Sequence, residues 1–165
     1  MYVKSFLIAC FLLFLGGNYL TAQDHEYIGA KKCKMCHNKP TTGAQYKIWS
    51  ESKHAKAMDA LKGDEKTDPK CIKCHATAGS VDPDLLAGLT MEEGVSCESC
   101  HGPGSAYKSN TIMKDKKKAI ANGLIIPDEK VCLKCHNDES PNFKGFNYDE
   151  YFKKIAHPIP PKEEE

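Results

Sequence analysis

Apolar and polar positions are unevenly spread along this 165-residue chain. Ser5 to Leu15 is almost wholly apolar, follows a single charge at Lys4, and is broken by Gly16, Gly17 and Asn18. A run of about eleven residues suits a signal-peptide core and is too short to span a bilayer. Leu20-Thr21-Ala22 offers a small residue for cleavage. Residues 1–22 are therefore expected to be an export signal, leaving a mature chain with no transmembrane segment. Leu7-Ile8-Ala9-Cys10 looks like a lipid-attachment site, but the apolar run continues past Cys10, which argues against lipoprotein anchoring.

Beyond residue 22 the apolar positions are sparse and fall into short helical patterns. Ala44 to Leu61 has no Gly or Pro, and Ile48, Ala55, Met58 and Leu61 recur at helical spacing. The spacing predicts one amphipathic helix over 44–61. Tyr148 to Ala156 predicts a second, with an aromatic face and a stop at Pro158. Gly63 to Pro69 is a polar loop, and Gly79, Pro83 and Gly88 make Ala76 to Thr90 mostly loop. Lys114, Lys116, Lys117 and Lys118 read as a solvated helix face that would also attract an acidic partner. Residues 158–165, with three prolines and a triple-Glu end, read as a disordered tail. The expectation is one mainly α domain over 23–157, built of short helices and loops.

Composition makes that domain hard to stabilise by side chains alone. Aromatics are 8% and mean hydropathy is −0.51, so a large apolar core is not available. The formal charge is +1, and all 23 basic residues are Lys. This excludes a strongly basic nucleic-acid binder and any bidentate arginine reading of phosphate.

The unusual number is nine Cys. Apart from Cys10, they form Cys33-Lys-Met-Cys36-His37, Cys71-Ile-Lys-Cys74-His75, Cys97-Glu-Ser-Cys100-His101 and Cys132-Leu-Lys-Cys135-His136. Cys-x-x-Cys-His is the attachment pattern of c-type haem. Two thiols add to two vinyl groups on one porphyrin edge, and one helical turn brings both sulfurs there. The following imidazole then faces the iron. Zinc half-sites, redox dithiols or disulfides do not explain a His after every second Cys. Four covalently attached haem c groups are expected. Their faces supply the apolar area the side chains lack.

Ligand arithmetic follows. Of seven His, four lie in the motifs, leaving His25, His54 and His157 as candidates for the far side of the irons. At most three haems can then be bis-histidine within one chain. The fourth takes Met, borrows a ligand from another subunit, or stays open to a small molecule. His54 sits on the predicted first helix and His157 just after the second. Trp49 is expected to pack on a porphyrin. His25 lies beside the expected new N-terminus.

Three stretches resemble the tetrahaem cytochrome c-554 family of bacterial nitrogen metabolism. They are Lys31 to His37 with Trp49 and His54-Ala55-Lys56-Ala57-Met58; Gly94 to Gly104, which contains the Glu-bearing third motif and ends Gly-Pro-Gly; and the late His157. The resemblance implies a mostly helical multihaem cytochrome with haems stacked in close pairs. It implies that His54 ligates the haem of His136, that His157 ligates the haem of His101, and that the haem of His75 is five-coordinate. It also implies an electron carrier serving a hydroxylamine-oxidising enzyme or a similar partner. The family has a His shortly after the third motif for the first haem, whereas Gly102 to Cys135 holds none here. His25 would replace it, or that iron stays open, with Tyr107 the nearest candidate oxygen ligand.

From Gln23 onward Lys and acidic residues balance, so ionised haem propionates would make the holoprotein about −4 when oxidised and about −8 when reduced. The favoured function is a periplasmic carrier passing electrons between redox proteins, such as other multihaem or quinone-linked cytochromes, without chemistry on a substrate. The alternative is a reductase of nitric oxide or another nitrogen oxide at a five-coordinate haem. No catalytic side chain can be assigned to it. Permanent docking in a membrane complex is a third arrangement.

Overall fold

The computed structural model describes residues 25–159, so the expected export signal and all but the first two residues of the expected tail lie outside it. Eight short helices span Ala30–His37 (α1), Gln45–Glu51 (α2), Pro69–His75 (α3), Cys97–His101 (α4), Asn110–Met113 (α5), Lys116–Ala121 (α6), Glu129–Leu133 (α7) and Tyr148–Ile155 (α8). Single 3-10 turns link several of them. Among the described residues the extended pairing is one isolated bridge, Tyr27 to Leu86.

Most of these helices are too short to persist by propensity alone, so their ends are fixed by local bonds. Asp68 accepts from the Lys70 amide, with Pro69 opening α3. Asp115 caps α6, Asp128 caps α7, and Asn147 caps α8 through the Glu150 amide. Lys116, Lys117 and Lys118 face solvent while Ala119 is buried, so the lysine run is a solvated helix face.

The fully buried apolar side chains are few and small. Besides Ile28, Leu61, Leu89 and Tyr107 they are four alanines, Ala30, Ala76, Ala78 and Ala119. Phe143, Tyr151 and Phe152 are exposed to the polypeptide's surface. The largest fully buried side chain is a carboxylate, Glu98.

The helix expected over 44–61 is interrupted. α2 ends at Glu51, and Ser52 is extended at φ −75°, ψ 163°. The Ser52 hydroxyl accepts from the Ala55 amide at 3.3 Å, an alternative to the helical ladder that serine is built to offer. The chain then turns through His54 into a 3-10 turn at Ala57–Ala60. His54 therefore sits on a turn, not on a helix. Its carbonyl accepts from Val95 at 2.9 Å and Ala57 at 3.2 Å, tying this turn to the strand of chain entering the third motif.

Two side-chain features hold that junction. Trp49 Nε1 donates to the Val95 carbonyl at 2.8 Å, and its ring lies tilted against Tyr46. Trp49→Phe is expected to lower stability by about 1 kcal/mol through the lost hydrogen bond, read as a lower denaturation midpoint. Gly94 adopts φ +60°, and a Cβ there would lie 2.6 Å from the His54 carbonyl oxygen. Gly94→Ala is expected to cost about 1–3 kcal/mol. Because it pushes on the turn that carries His54, it should also perturb the visible spectrum, which a remote loss of stability would not do.

Candidate haem sites

Each Cys-x-x-Cys-His segment is wound as a helical turn. α1 carries Cys33, Cys36 and His37; α3 carries Cys71, Cys74 and His75; α4 carries Cys97, Cys100 and His101. The fourth motif begins in α7 at Cys132, and the turn continues because the Cys135 and His136 amides both donate to the Cys132 carbonyl, at 3.1 and 3.0 Å. None of the eight motif cysteines is paired in a disulfide.

The motifs meet in pairs. Cys33 and Cys97 are close enough neighbours to act on each other's proton affinity, and so are Cys74 and Cys135, which line one cavity. Cys100 feels Cys132, after burial as the larger cause of its raised value. The first motif thus adjoins the third, the second adjoins the fourth, and the third and fourth connect the two pairs. A cavity of about 510 Å³ opens beside Cys74 and Cys135, lined also by Lys73, Lys134 and Glu139. A second, of about 330 Å³, adjoins His136, Phe143 and Tyr151.

Two motif imidazoles are oriented by backbone carbonyls. His75 Nδ1 lies 2.7 Å from the Ala57 oxygen and His101 Nδ1 lies 3.1 Å from the Ile125 oxygen. A carbonyl can only accept, so each Nδ1 carries the proton and Nε2 keeps its lone pair for a metal. His136 stacks on Phe146 at 4.8 Å, with Tyr151 of α8 at 6.1 Å. The aromatic face of α8 thus lies against the fourth motif, while the residues after the helix carry His157 to the third.

Spare and motif histidines come together twice. The His54 and His136 ring centres are 6.1 Å apart, and those of His101 and His157 are 5.9 Å apart. Imidazole nitrogens bind a metal at about 2.0–2.1 Å, so two rings on opposite sides of one iron have centres about 6 Å apart. Burial is the first cause lowering the proton affinity of His54, His101, His136 and His157, which favours the neutral, ligating form. His157 Nδ1 is buried without a hydrogen-bond partner. On these observations the residues fit iron between facing imidazoles. Among the described residues no spare imidazole faces His37 or His75 at this spacing.

His25 packs against the loop after α6, where a Cβ on Gly123 would lie 2.7 Å from its Nδ1. Tyr107 is not available as an oxygen ligand. Its hydroxyl donates towards the His101 and Gly102 carbonyls, at 3.1 and 2.8 Å, and burial raises its proton affinity further. A buried phenol with backbone acceptors in reach gains more from them than from ionising towards a metal. Sequence reasoning overlooked Glu93 and Glu98 as structural groups. The only signal was a carboxylate inside the third motif, where each of the other three carries a lysine.

Four thioether attachment sites on a mainly helical chain, with buried imidazoles between them, define a multihaem c-type cytochrome. A family model described as cytochrome c554 and c-prime matches residues 32–102. Cytochrome c-554 of Nitrosomonas europaea is 30% identical over 173 residues, covering 84% of this chain and 70% of the relative. The solved reduced state of cytochrome c554 from the same organism matches with a TM-score of 0.59 at 27% identity, covering 81% of this chain and 86% of that one. This chain belongs to the cytochrome c554 family. It is a c-type cytochrome electron carrier with four covalently attached haems. No helix among the described residues is long and apolar enough to cross a membrane.

Proposed function

We propose that this chain is a periplasmic carrier that moves single electrons between redox proteins in the respiration or oxidation of nitrogen compounds. Each bound haem supplies one reversible ferric–ferrous couple. The polypeptide holds the four groups by Cys33 and Cys36, Cys71 and Cys74, Cys97 and Cys100, and Cys132 and Cys135. His37, His75, His101 and His136 are the proximal ligands. His54 ligates opposite His136, and His157 opposite His101. The two 6 Å imidazole pairs carry this reading. Neutral histidine pairs change little between the two redox states, so little reorganisation accompanies each electron.

The motif pairing supports a route. With haems attached, the closeness of Cys33 to Cys97 and of Cys74 to Cys135 would bring two haem edges together in each pair, and Cys100 beside Cys132 would link the pairs. Trp49, fixed on Val95, lies where it would flank this array. The haem of His75 keeps an open position, and no histidine faces His37 at this spacing among the described residues. Export by residues 1–22 would bring the chain to the compartment where c-type haem is attached. A hydroxylamine-oxidising enzyme, or another multihaem or quinone-linked cytochrome, would donate or accept the electrons. The exposed lysines of α6 suit an acidic docking surface.

The test is an anaerobic redox titration of the purified holoprotein with low-temperature EPR, with and without nitric oxide. Four one-electron steps, low-spin signals from paired histidines and a high-spin signal that the gas removes are expected. Repeated turnover of nitric oxide by the isolated protein would overturn the carrier reading in favour of the reductase.

A further inference from the structure

Glu98 is 2% exposed and lies between two haem-attachment motifs. Its carboxylate takes three backbone donors. Oε1 accepts from Ile28 at 2.9 Å and Gly104 at 2.6 Å, and Oε2 accepts from Gly29 at 2.8 Å. Beside it, Glu93 Oε2 accepts from the Ala30 amide at 2.8 Å and the Ser96 hydroxyl at 3.0 Å. Three successive amides at the start of α1 are therefore held by two carboxylates, one from within the third motif and one from just before it.

This clamp fits the charged form. Both Glu98 oxygens are occupied as acceptors, which is what an ionised carboxylate offers. Burial, with a smaller push from Glu93, holds the Glu98 carboxyl above the usual range, and the three amides oppose that rise by favouring the charged form. None of the ion pairs among the described residues includes Glu93 or Glu98, so no cation cancels their charge there. Glu98 follows Cys97 directly in the third motif, and its acceptors hold the amides that open the helix carrying Cys33 and Cys36.

We propose that Glu98, assisted by Glu93, is a potential-setting residue: its buried charge stabilises the ferric state of the haems on the first and third motifs and lowers their reduction potentials relative to the other pair. The physical reason is ordinary electrostatics. Adding one electron to a ferric haem removes one positive charge, and a fixed anion in a low-dielectric interior opposes that change. The second and fourth motifs adjoin a cavity lined by Lys73 and Lys134, but Lys73 is paired to Glu139 and Glu98 reaches the same cavity wall. Glu98 is part of the third motif and is bonded to the amides that open the helix of the first, so its charge acts most strongly on that pair; electrons would gather on the other, and the clamp gives the array a direction. The proposal rests on the haem pairing proposed above.

The experiment is potentiometric titration of four-haem holoprotein, reduced with dithionite, for the native chain, Glu98→Asp, Glu98→Gln and Glu93→Gln. Glu98→Gln is expected to move two of the four midpoints upward and leave the other two in place. Glu93→Gln should move the same two upward by less. Glu98→Asp keeps the charge and should stay near the native values, although its shorter reach weakens the clamp. Should Glu98→Gln fail to load four haems, Glu93→Gln and Glu98→Asp decide the matter. Unmoved midpoints in every glutamine variant obtained, or an aspartate variant that shifts as far as the glutamine one, would overturn the proposal. Failure of the carrier reading looks different: the native reduced protein would not pass electrons to a multihaem acceptor, whatever its midpoints.

Discussion

Replacing His54 by alanine is expected to turn one haem of four from low-spin to high-spin while leaving all four attached. The thioether bonds from Cys132 and Cys135 hold that haem whether or not the far side is ligated, and His136 remains on the near side. What is lost is the second imidazole, 6.1 Å from the first. The ferric protein should gain a high-spin EPR signal and a new site for nitric oxide. Added imidazole should restore the low-spin spectrum, an outcome that general unfolding does not give. His54 sits on a turn held by backbone bonds from Val95 and Ala57, so removal of its ring leaves that turn's anchoring intact. His157→Ala should do the same at the haem of His101, and the double variant should show both changes, because the two imidazole pairs are separate. A His54→Ala protein with an unaltered spectrum would mean that another group ligates opposite His136.

Removing an attachment site should have the largest effect on the fold. Replacing Cys132 and Cys135 together by serine is expected to lower the intact mass by one haem and to destabilise the chain by at least the cost of deleting a large buried aromatic, about 3–5 kcal/mol. The side-chain core cannot absorb that loss, since among the described residues half of the buried apolar ones are alanines. The aromatic group of Phe146, Tyr151 and His136 would lose its partner, and Cys135 borders both cavities. Intact-mass spectrometry and thermal unfolding by circular dichroism check the two halves of this expectation. A variant that loses the haem yet melts at the native temperature would show that the polypeptide has a core of its own.

Acidic and apolar patterns in the chain were legible in different degrees. The short helix ending before His157 was readable because Pro158 forbids its continuation and the aromatic residues repeat at helical spacing. The long helix through His54 was misread for an equally local reason: periodicity over 44–61 is genuine, but the Ser52 hydroxyl and the pull of Val95 on the His54 carbonyl break it. Propensity carries no information about a partner some forty residues away. Tyr107 was misjudged over a shorter span, since the acceptors that claim its hydroxyl are the His101 and Gly102 carbonyls, at the end of the third motif and the residue after it.

By itself the sequence determined the haem chemistry, because two thiols and an imidazole within five consecutive residues are placed by a single helical turn. It also set the scarcity of spare histidines, which is a matter of counting. The tertiary structure alone decided which motifs adjoin, that His54 reaches the fourth motif from a turn, and that Glu98 closes on the amides before the first. These depend on segments up to about eighty residues apart meeting in space. The entropy of closing such loops is met by the packing of the whole array and leaves no local mark on the chain.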